Sequence, residues 1–205
     1  DADRMTKWAY AATVAASLAH LVVAHGDAVG LTLFDTAVRA QAPVTSSRAS
    51  LEALTSLMET STPRNPTDLK LPFHELAGRI PRRGMVVILS DLLTDVDAAV
   101  DGLQRFRYGR HDVIMLHILD HDELEFPFMD RTLFEGMEHP DVEILTDPQS
   151  LRGTYLATLQ AFLRRVRRAC LDHRIDYALL STADPIDVAL TRFLAARMHL
   201  IRAKA

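Results

Sequence analysis

The sequence predicts an α/β fold, with a doubly wound, mostly parallel sheet, helices on both faces and one antiparallel edge strand. Residues 85–89, 112–119 and 175–180 are short runs rich in apolar residues, the pattern of strands buried on both faces. Stretches with apolar residues at helical spacing separate these runs. Strands that alternate with helices in this way are typical of parallel sheets.

Composition bounds the class of protein. The chain has 205 residues, 48% of them hydrophobic, which fits a single domain over residues 1–205. A net charge of −4 gives no broad attraction for nucleic acid or an anionic membrane. Cys170 is the only cysteine, which excludes an intramolecular disulfide. We therefore expect a cytoplasmic protein with no membrane segment and no nucleic-acid partner.

The N-terminal part predicts a helix followed by two strands. The helix is expected over residues 1–25, capped by Asp3 and ended by Gly26. A buried strand follows at 28–34, and residues 37–44 return as an edge strand. Ser46 or Ser47 then caps a further helix. The side chains expected inward on the first helix are Met5, Trp8, Ala12, Ala15, Ala19, Val22 and Val23.

The middle of the chain predicts two helices around the central strand. One opens near Thr67 and runs to about Ile80, with Pro72 favouring a kink or a late start. The other begins at a capping box formed by Thr94 and Asp97. Its predicted inward side chains are Val96, Val100, Leu103 and Phe106.

The C-terminal half predicts an insertion and two further helices. Residues 123–148 mix aromatic residues with charges and prolines, which indicates extended segments and a small hairpin around 138–141. A long helix is expected over 150–174 and a final one over 186–202, opened by Pro185. The side chains expected inward on the long helix are Leu151, Tyr155, Leu159, Phe162, Val166 and Cys170.

Motifs for common enzyme chemistry are missing from the sequence. It contains no Gly-x-Gly-x-x-Gly, no Gly-x-x-x-x-Gly-Lys and no Gly-x-Ser-x-Gly. Its nine histidines do not fall at metal-ligand spacing in a helix. His117 lies inside a predicted strand, which favours a packed or hydrogen-bonded core residue over a general base.

Thr67 and Asp91 are the candidate metal ligands. Thr67 follows a turn-rich loop and Asp91 follows a strand, so we expect both at one end of the sheet. A hydroxyl and a carboxylate there suit a hard cation such as Mg²⁺ that keeps some of its water. The alternative is structural: Thr67 is a helix N-cap and Asp91 caps the loop before Thr94.

Several short motifs occur in an order that resembles a known bacterial family. They are Gly26-Asp27-Ala-Val-Gly-Leu, Pro66-Thr67-Asp68-Leu69, Val86-Val-Ile-Leu-Ser-Asp91, His111-Asp-Val-Ile and Leu124-Glu-Phe-Pro-Phe128. Together they resemble domain-of-unknown-function family fifty-eight, which is similar to von Willebrand factor type A domains, a Rossmann-like class. The resemblance implies a metal-ion-dependent adhesion site in which Thr67 and Asp91 match the second and third metal loops.

One departure from the family pattern is large. The first metal loop, Asp-x-Ser-x-Ser, occurs nowhere in this sequence. We expect that loop and the first strand to lie upstream of Asp1, so that this chain alone binds Mg²⁺ weakly or not at all. We also expect a one-strand gap between the strands at 28–34 and 85–89, roughly 9–10 Å wide.

The resemblance implies a non-enzymatic adaptor that binds a protein, with a MoxR-type AAA+ ATPase as the partner. Asp68, Asp95 and Asp120 are the expected rim of the binding site. Two alternatives remain open: a metal-dependent hydrolase centred on Asp91, and a structural domain with a non-functional site. Four arginines at 164, 165, 167 and 168 predict a solvated, salt-bridged helix face.

Overall fold

The computed structural model describes residues 4–62, 70–80, 83–93, 96–130, 132–135 and 143–204. Within them, helices alternate with strands along most of the chain. The strands are β1 (Val29–Phe34), β2 (Val38–Thr45), β3 (Met85–Ser90), β4 (Asp112–Leu119), β5 (Thr132–Glu135), β6 (Glu143–Thr146) and β7 (Asp176–Ser181). The helices are α1 (Lys7–Ala24), α2 (Arg48–Thr60), α3 (Lys70–Arg79), α4 (Val96–Tyr108), α5 (His121–Glu125), α6 (Pro148–Asp172) and α7 (Ile186–Lys204).

A parallel sheet of three strands, in the order β3-β4-β7, forms the centre of the molecule. In its register, Ile88 lies opposite Met115, which in turn lies opposite Tyr177. The predicted α/β class with a mostly parallel sheet is therefore confirmed. These strands lie within a residue or two of the apolar runs that predicted them.

Alternation along β4 divides the core into two layers. Val113 and Met115 point into one cluster, formed with α3, α4 and α6. Ile114, Leu116 and Ile118 point into the other, formed with α1 and α7. Because successive side chains of a strand point to opposite faces, one unbroken apolar strand supplies both layers. Helices therefore cover both faces of the sheet, as predicted.

The β1–β2 hairpin is a sheet of its own. Residues 28–34 were expected to form a buried strand of the main sheet, but among the described residues β1 pairs only with β2, in antiparallel orientation. A backbone ladder between β1 and β3 would have contradicted the predicted one-strand gap. Within the described residues no such ladder joins them. The hairpin still reaches the main core through Phe34, whose ring lies 5.4 Å from that of Phe73.

The first helix differs from its prediction in its start and its buried face. Asp3 lies outside the described residues, and Thr6 is the N-cap, accepting a hydrogen bond from the Ala9 amide at 3.1 Å. The buried side chains are Tyr10, Val14 and Ala19. Met5 was expected inward, but it precedes the helix and is 48% exposed.

Helix α1 is also long and apolar enough to cross a membrane, by length and composition alone. No membrane segment was predicted from the sequence. Core helices of soluble proteins and signal sequences share the property. In this structure, Tyr10 and Val14 of α1 pack against Ile114 and Leu116 of β4 in the second core layer.

The segment from 123 to 148 contains an antiparallel hairpin. Strand β5 pairs with β6, and residues 136–142, where the turn was predicted, lie outside the described part. This segment packs against α6 through a cluster of four aromatic rings, with Phe126 at the centre. The other three are Phe128, Phe134 and Tyr155, at 5.2, 5.8 and 4.6 Å from the Phe126 ring. Leu151, expected inward on α6, is 42% exposed.

Substitution of Gly102, in α4, tests how closely α3 packs on α4. A Cβ on Gly102 would lie 2.5 Å from Cδ2 and 2.8 Å from Cβ of Phe73, which is buried between Phe34 and Phe106. Gly102→Ala should therefore lower the free energy of unfolding by about 1–2 kcal/mol, net of its gain in helix propensity. Gly153→Ala is the control, since an added Cβ there meets nothing within 4 Å.

In the control, Gly153→Ala, the free energy of unfolding should rise by about 0.5–1 kcal/mol because alanine has the higher helix propensity. Urea unfolding of both variants and the unmodified protein measures these differences. A Gly102→Ala protein as stable as Gly153→Ala would show that α3 and α4 do not approach so closely.

Candidate functional site

The three parallel strands end at one edge of the sheet, where each is followed by a polar residue. Asp91 follows β3, Asp120 follows β4 and Thr182 follows β7. The N-terminus of α1 reaches the same edge, because Lys7 contacts Asp91 directly. Asp91 and the rim candidate Asp120 thus lie at the carboxyl edge, where open α/β folds place their ligands.

The ammonium group of Lys7 joins two carboxylates at this edge. Its Nζ atom lies 2.8 Å from Oδ2 of Asp91 and 2.7 Å from Oε1 of Glu123. Burial alone would lower the pKa of Lys7, but the hydrogen bonds and charges of Asp91 and Glu123 outweigh it and raise the pKa. Lys7 is therefore a fixed positive charge at neutral pH.

The contacts continue from Glu123 to Asp120 and Thr182. Glu123 Oε2 accepts a hydrogen bond from the Asp120 amide at 2.7 Å, which completes the capping box of α5. The Asp120 carboxylate accepts from the Asp122 amide at 2.9 Å and from the Thr182 hydroxyl at 2.7 Å. The reciprocal cap folds residues 121–125 into a helical turn.

These hydrogen bonds also set the charge of Asp120. Burial raises its pKa, but the Thr182 hydroxyl, the Asp122 amide and the charges of Arg4 and Lys7 together lower the pKa below its ordinary value. Asp120 is thus a carboxylate at neutral pH, as the predicted acidic rim requires.

We call this set of connected residues the edge network. Arg4 adds a two-point contact with Asp122, at 3.0 and 2.9 Å. Four carboxylates and two cations leave the network with a formal charge of −2 at neutral pH. Its members are Arg4, Lys7, Asp91, Asp120, Asp122, Glu123 and Thr182.

A buried histidine forms a hydrogen bond with the backbone of Asp91. His117 has 0% exposure, and its Nε2 lies 2.8 Å from the Asp91 carbonyl oxygen. Since a carbonyl only accepts, Nε2 donates, and Nδ1 accepts from the Tyr177 hydroxyl at 2.9 Å. The sequence prediction of a hydrogen-bonded core histidine is confirmed.

The charge state of His117 follows from its surroundings. Burial lowers its pKa to about 4, although the hydrogen bond and charge of Asp91 act in the opposite direction. The ring is therefore neutral at physiological pH, which is the form that can donate to Asp91 and accept from Tyr177 simultaneously.

The turn after β3 fixes the direction of the Asp91 side chain. Leu92 has a left-handed φ of 52° and is 2% exposed. Its amide donates to the Ser90 hydroxyl at 3.1 Å, and the Leu93 amide donates to Asp91 Oδ1 at 3.3 Å. A buried leucine in this conformation is costly, so the core contacts of Leu92 hold the turn in place.

The described residues do not fit a metal ion. Among them no three histidine, cysteine, aspartate or glutamate side chains are grouped to hold one. The Asp91 carboxylate is already bonded to Lys7. Thr67 and Asp68 (in 63–69) and Asp95 (in 94–95) lie outside the described residues, so their predicted roles remain predictions.

Lys7 and Glu123 were not among the site residues predicted from the sequence. Lys7 is one of only three lysines in the chain and stands at the start of a predicted helix. That position predicts nothing about its partners, which lie 84 and 116 residues away. The spacing of Glu123 from Asp120 is that of a capping box, a signal that is present in the sequence.

The arginine-rich face of α6 is solvated, as predicted. Arg165 pairs with Asp97 at 2.5 Å and Arg168 with Asp172 at 3.0 Å. The two arginine side chains are 58% and 74% exposed. Exposed pairs of this kind contribute little to stability.

Fold and site together define an α/β domain with a charged, preorganised network at the carboxyl edge of its parallel sheet. Residues 1–163 match the family described as "Protein of unknown function DUF58", and the chain belongs to that family. This confirms the family part of the resemblance seen in the sequence.

A solved structure supports the fold. The chain is similar to the crystal structure of the conserved hypothetical protein BatB from Bacteroides thetaiotaomicron, with a TM-score of 0.51 and 15% identity. The similarity covers 90% of this chain and 87% of that chain. No curated protein matches the sequence.

His117 predicts a pH dependence of stability. Its folded pKa of about 4 lies below the ordinary 6.5, so the unfolded chain takes up a proton that the folded protein does not. The stabilisation is complete above about pH 6.5 and is lost as pH falls toward about 4. Between pH 7 and pH 5 the loss amounts to about 2 kcal/mol.

The substitution His117→Gln keeps an N–H donor for the Asp91 carbonyl and removes the titration. It should shrink the difference between the unfolding free energies at pH 7 and pH 5 by about 2 kcal/mol. Urea titrations of both proteins at the two pH values measure this difference. Equal differences in the two proteins would mean that His117 does not titrate in this way.

Proposed function

We propose that this chain is a non-enzymatic protein-binding domain of the von Willebrand type A-like class that contacts its partner through the carboxyl edge of the sheet. The edge network is the observation that supports this proposal. It groups ionic residues from α1, from the turn after β3 and from α5 on one surface. Such a surface suits recognition of a protein partner.

The charge of the network indicates what the partner presents. The ion-paired side chains of Arg4, Lys7, Asp91, Asp122 and Glu123 keep 25–32% of their surface exposed. With a formal charge of −2, the edge attracts a face that carries arginine or lysine residues. Complementary charges of this kind set association rate and specificity more than they set affinity.

Asp91 has surroundings that favour binding over hydrolysis. Among the described residues, the groups bonded to its carboxylate are the Lys7 ammonium and the Leu93 amide. His117, the adjacent imidazole, contacts the backbone carbonyl of Asp91 and not its carboxylate. A hydrolase centred on Asp91 needs a base or a polarised water beside the carboxylate, where Lys7 lies instead.

The partner class we propose is a MoxR-type AAA+ ATPase, which the family resemblance implies. A metal-dependent form of the contact, with Thr67 and Asp91 on Mg²⁺, needs ligands beyond the described residues and displacement of Lys7. We therefore propose the ionic form of the contact, in which the edge network itself meets the partner.

Two variants at the edge test this proposal by binding to a MoxR-type ATPase from the same organism. Asp91→Asn removes one network charge, and Glu125→Lys reverses an exposed charge on α5. Each should weaken binding about tenfold or more, which corresponds to about 1.4 kcal/mol. Affinity should also fall as salt rises, since the contact is ionic. Biolayer interferometry with immobilised ATPase measures both effects.

Asp172→Asn is the matched control. Asp172 is an exposed carboxylate at the end of α6, in an ion pair with Arg168 on the same helix. It should leave affinity unchanged. Loss of binding in the control as large as in the edge variants, or no loss in either edge variant, would place the interface elsewhere. Circular dichroism of each variant verifies that the fold is intact.

A further inference from the structure

We propose that Lys7 is the resident cation of the carboxyl edge. Its ammonium neutralises and spaces Asp91 and Glu123, as a bound metal ion would, so a divalent cation can enter only by displacing it. The inference rests on the proposed function for its biological meaning, but its test needs no partner. It concerns one atom, Lys7 Nζ, and the two carboxylate oxygens beside it.

The geometry is that of a shared cation. Asp91 Oδ2 and Glu123 Oε1 lie 2.8 and 2.7 Å from Nζ, within the range of strong charge-assisted hydrogen bonds. The two oxygens are therefore at most 5.5 Å apart, the sum of these distances. Two carboxylates at that separation repel each other unless a positive charge lies between them.

Each of the three groups is held from a different side. Lys7 is the first residue of α1, which Thr6 caps. Asp91 is fixed by His117 through its carbonyl and by the Leu93 amide through its carboxylate. Glu123 is fixed because its other oxygen accepts from the Asp120 amide. The ammonium therefore occupies a preorganised position.

The three side chains are less exposed than those of an ordinary surface ion pair. Lys7, Asp91 and Glu123 are 25%, 30% and 27% exposed, whereas Arg165 and Asp97 are 58% and 75% exposed.

The spacing of the two carboxylates is also close to what Ca²⁺ requires. Carboxylate oxygens that chelate Ca²⁺ lie about 2.3–2.6 Å from the ion. Two such bonds span about 5 Å, a distance the Asp91 and Glu123 oxygens can adopt once the ammonium is gone.

Removal of the lysine charge is the critical experiment. Lys7→Gln keeps a polar side chain but leaves two carboxylates without their cation, and it should bind Ca²⁺ or Tb³⁺ at least tenfold more tightly than the unmodified protein. Trp8, the only tryptophan, follows Lys7 in the chain, so Tb³⁺ luminescence excited through tryptophan reports on this edge. Isothermal titration with Ca²⁺ gives the affinities.

Two controls accompany this variant. Lys7→Arg keeps a cation and should bind Ca²⁺ as weakly as the unmodified protein. Arg168→Gln removes an exposed cation from the far end of α6 and should also leave Ca²⁺ binding unchanged. Equal affinity of Lys7→Gln and the unmodified protein for Ca²⁺ would overturn the inference.

A measurement on the unmodified protein covers the case in which Lys7→Gln fails to fold. Its melting temperature should be the same in about 10 mM Mg²⁺ or Ca²⁺ and in a chelator, because a ligand that binds only the folded state would raise it. A rise in melting temperature with either cation would overturn the inference. Neither result depends on the ATPase experiment, so the two proposals can fail separately.

Discussion

Burial of β4 on both faces is the constraint on which the rest of the structure depends. From Val113 to Leu119 its side chains are no more than 2% exposed, and they supply both core layers by alternation. A strand covered on both sides needs helices on both sides, which fixes the positions of α4 and α6 against one face and α1 and α7 against the other. The same strand delivers the chain to Asp120, so the geometry of the edge follows from the geometry of the core.

His117 connects that core to the edge network. It belongs to the same face of β4 as Val113 and Met115, and its ring packs against Phe162 and Tyr177 at 5.6 and 5.9 Å. A polar ring in such a place must satisfy both nitrogens, because each buried polar atom without a partner costs about 1–3 kcal/mol. The Asp91 carbonyl and the Tyr177 hydroxyl satisfy them, so the position of Asp91 is set by the hydrogen-bond demands of a core residue.

Local patterns account for what the sequence could predict. The parallel strands, their order with the helices and the core role of His117 depend on short-range periodicity and residue type. The edge network could not be predicted, because the pairs Lys7–Asp91 and Lys7–Glu123 join residues far apart in the chain. The error at β1 has another cause: apolar residues in 28–34 fit a hairpin strand that reaches the core through Phe34 as well as a strand of the main sheet. Hydrophobicity alone does not choose between them.

The division of labour between core and edge follows from energetics. Each partly exposed ion pair at the edge contributes at most about 1 kcal/mol, whereas each buried leucine or phenylalanine contributes about 1.5–3 kcal/mol. Stability therefore rests on the layers around β4, and the charges of Lys7, Asp91 and Glu123 can differ between related chains at small cost to folding. Their positions depend on hydrogen bonds: His117 contacts the Asp91 carbonyl, the Leu92 amide closes the turn after β3, and Glu123 belongs to the capping box of α5. The edge carboxylates are thus held in a fixed geometry by contacts that add little to the stability of the fold.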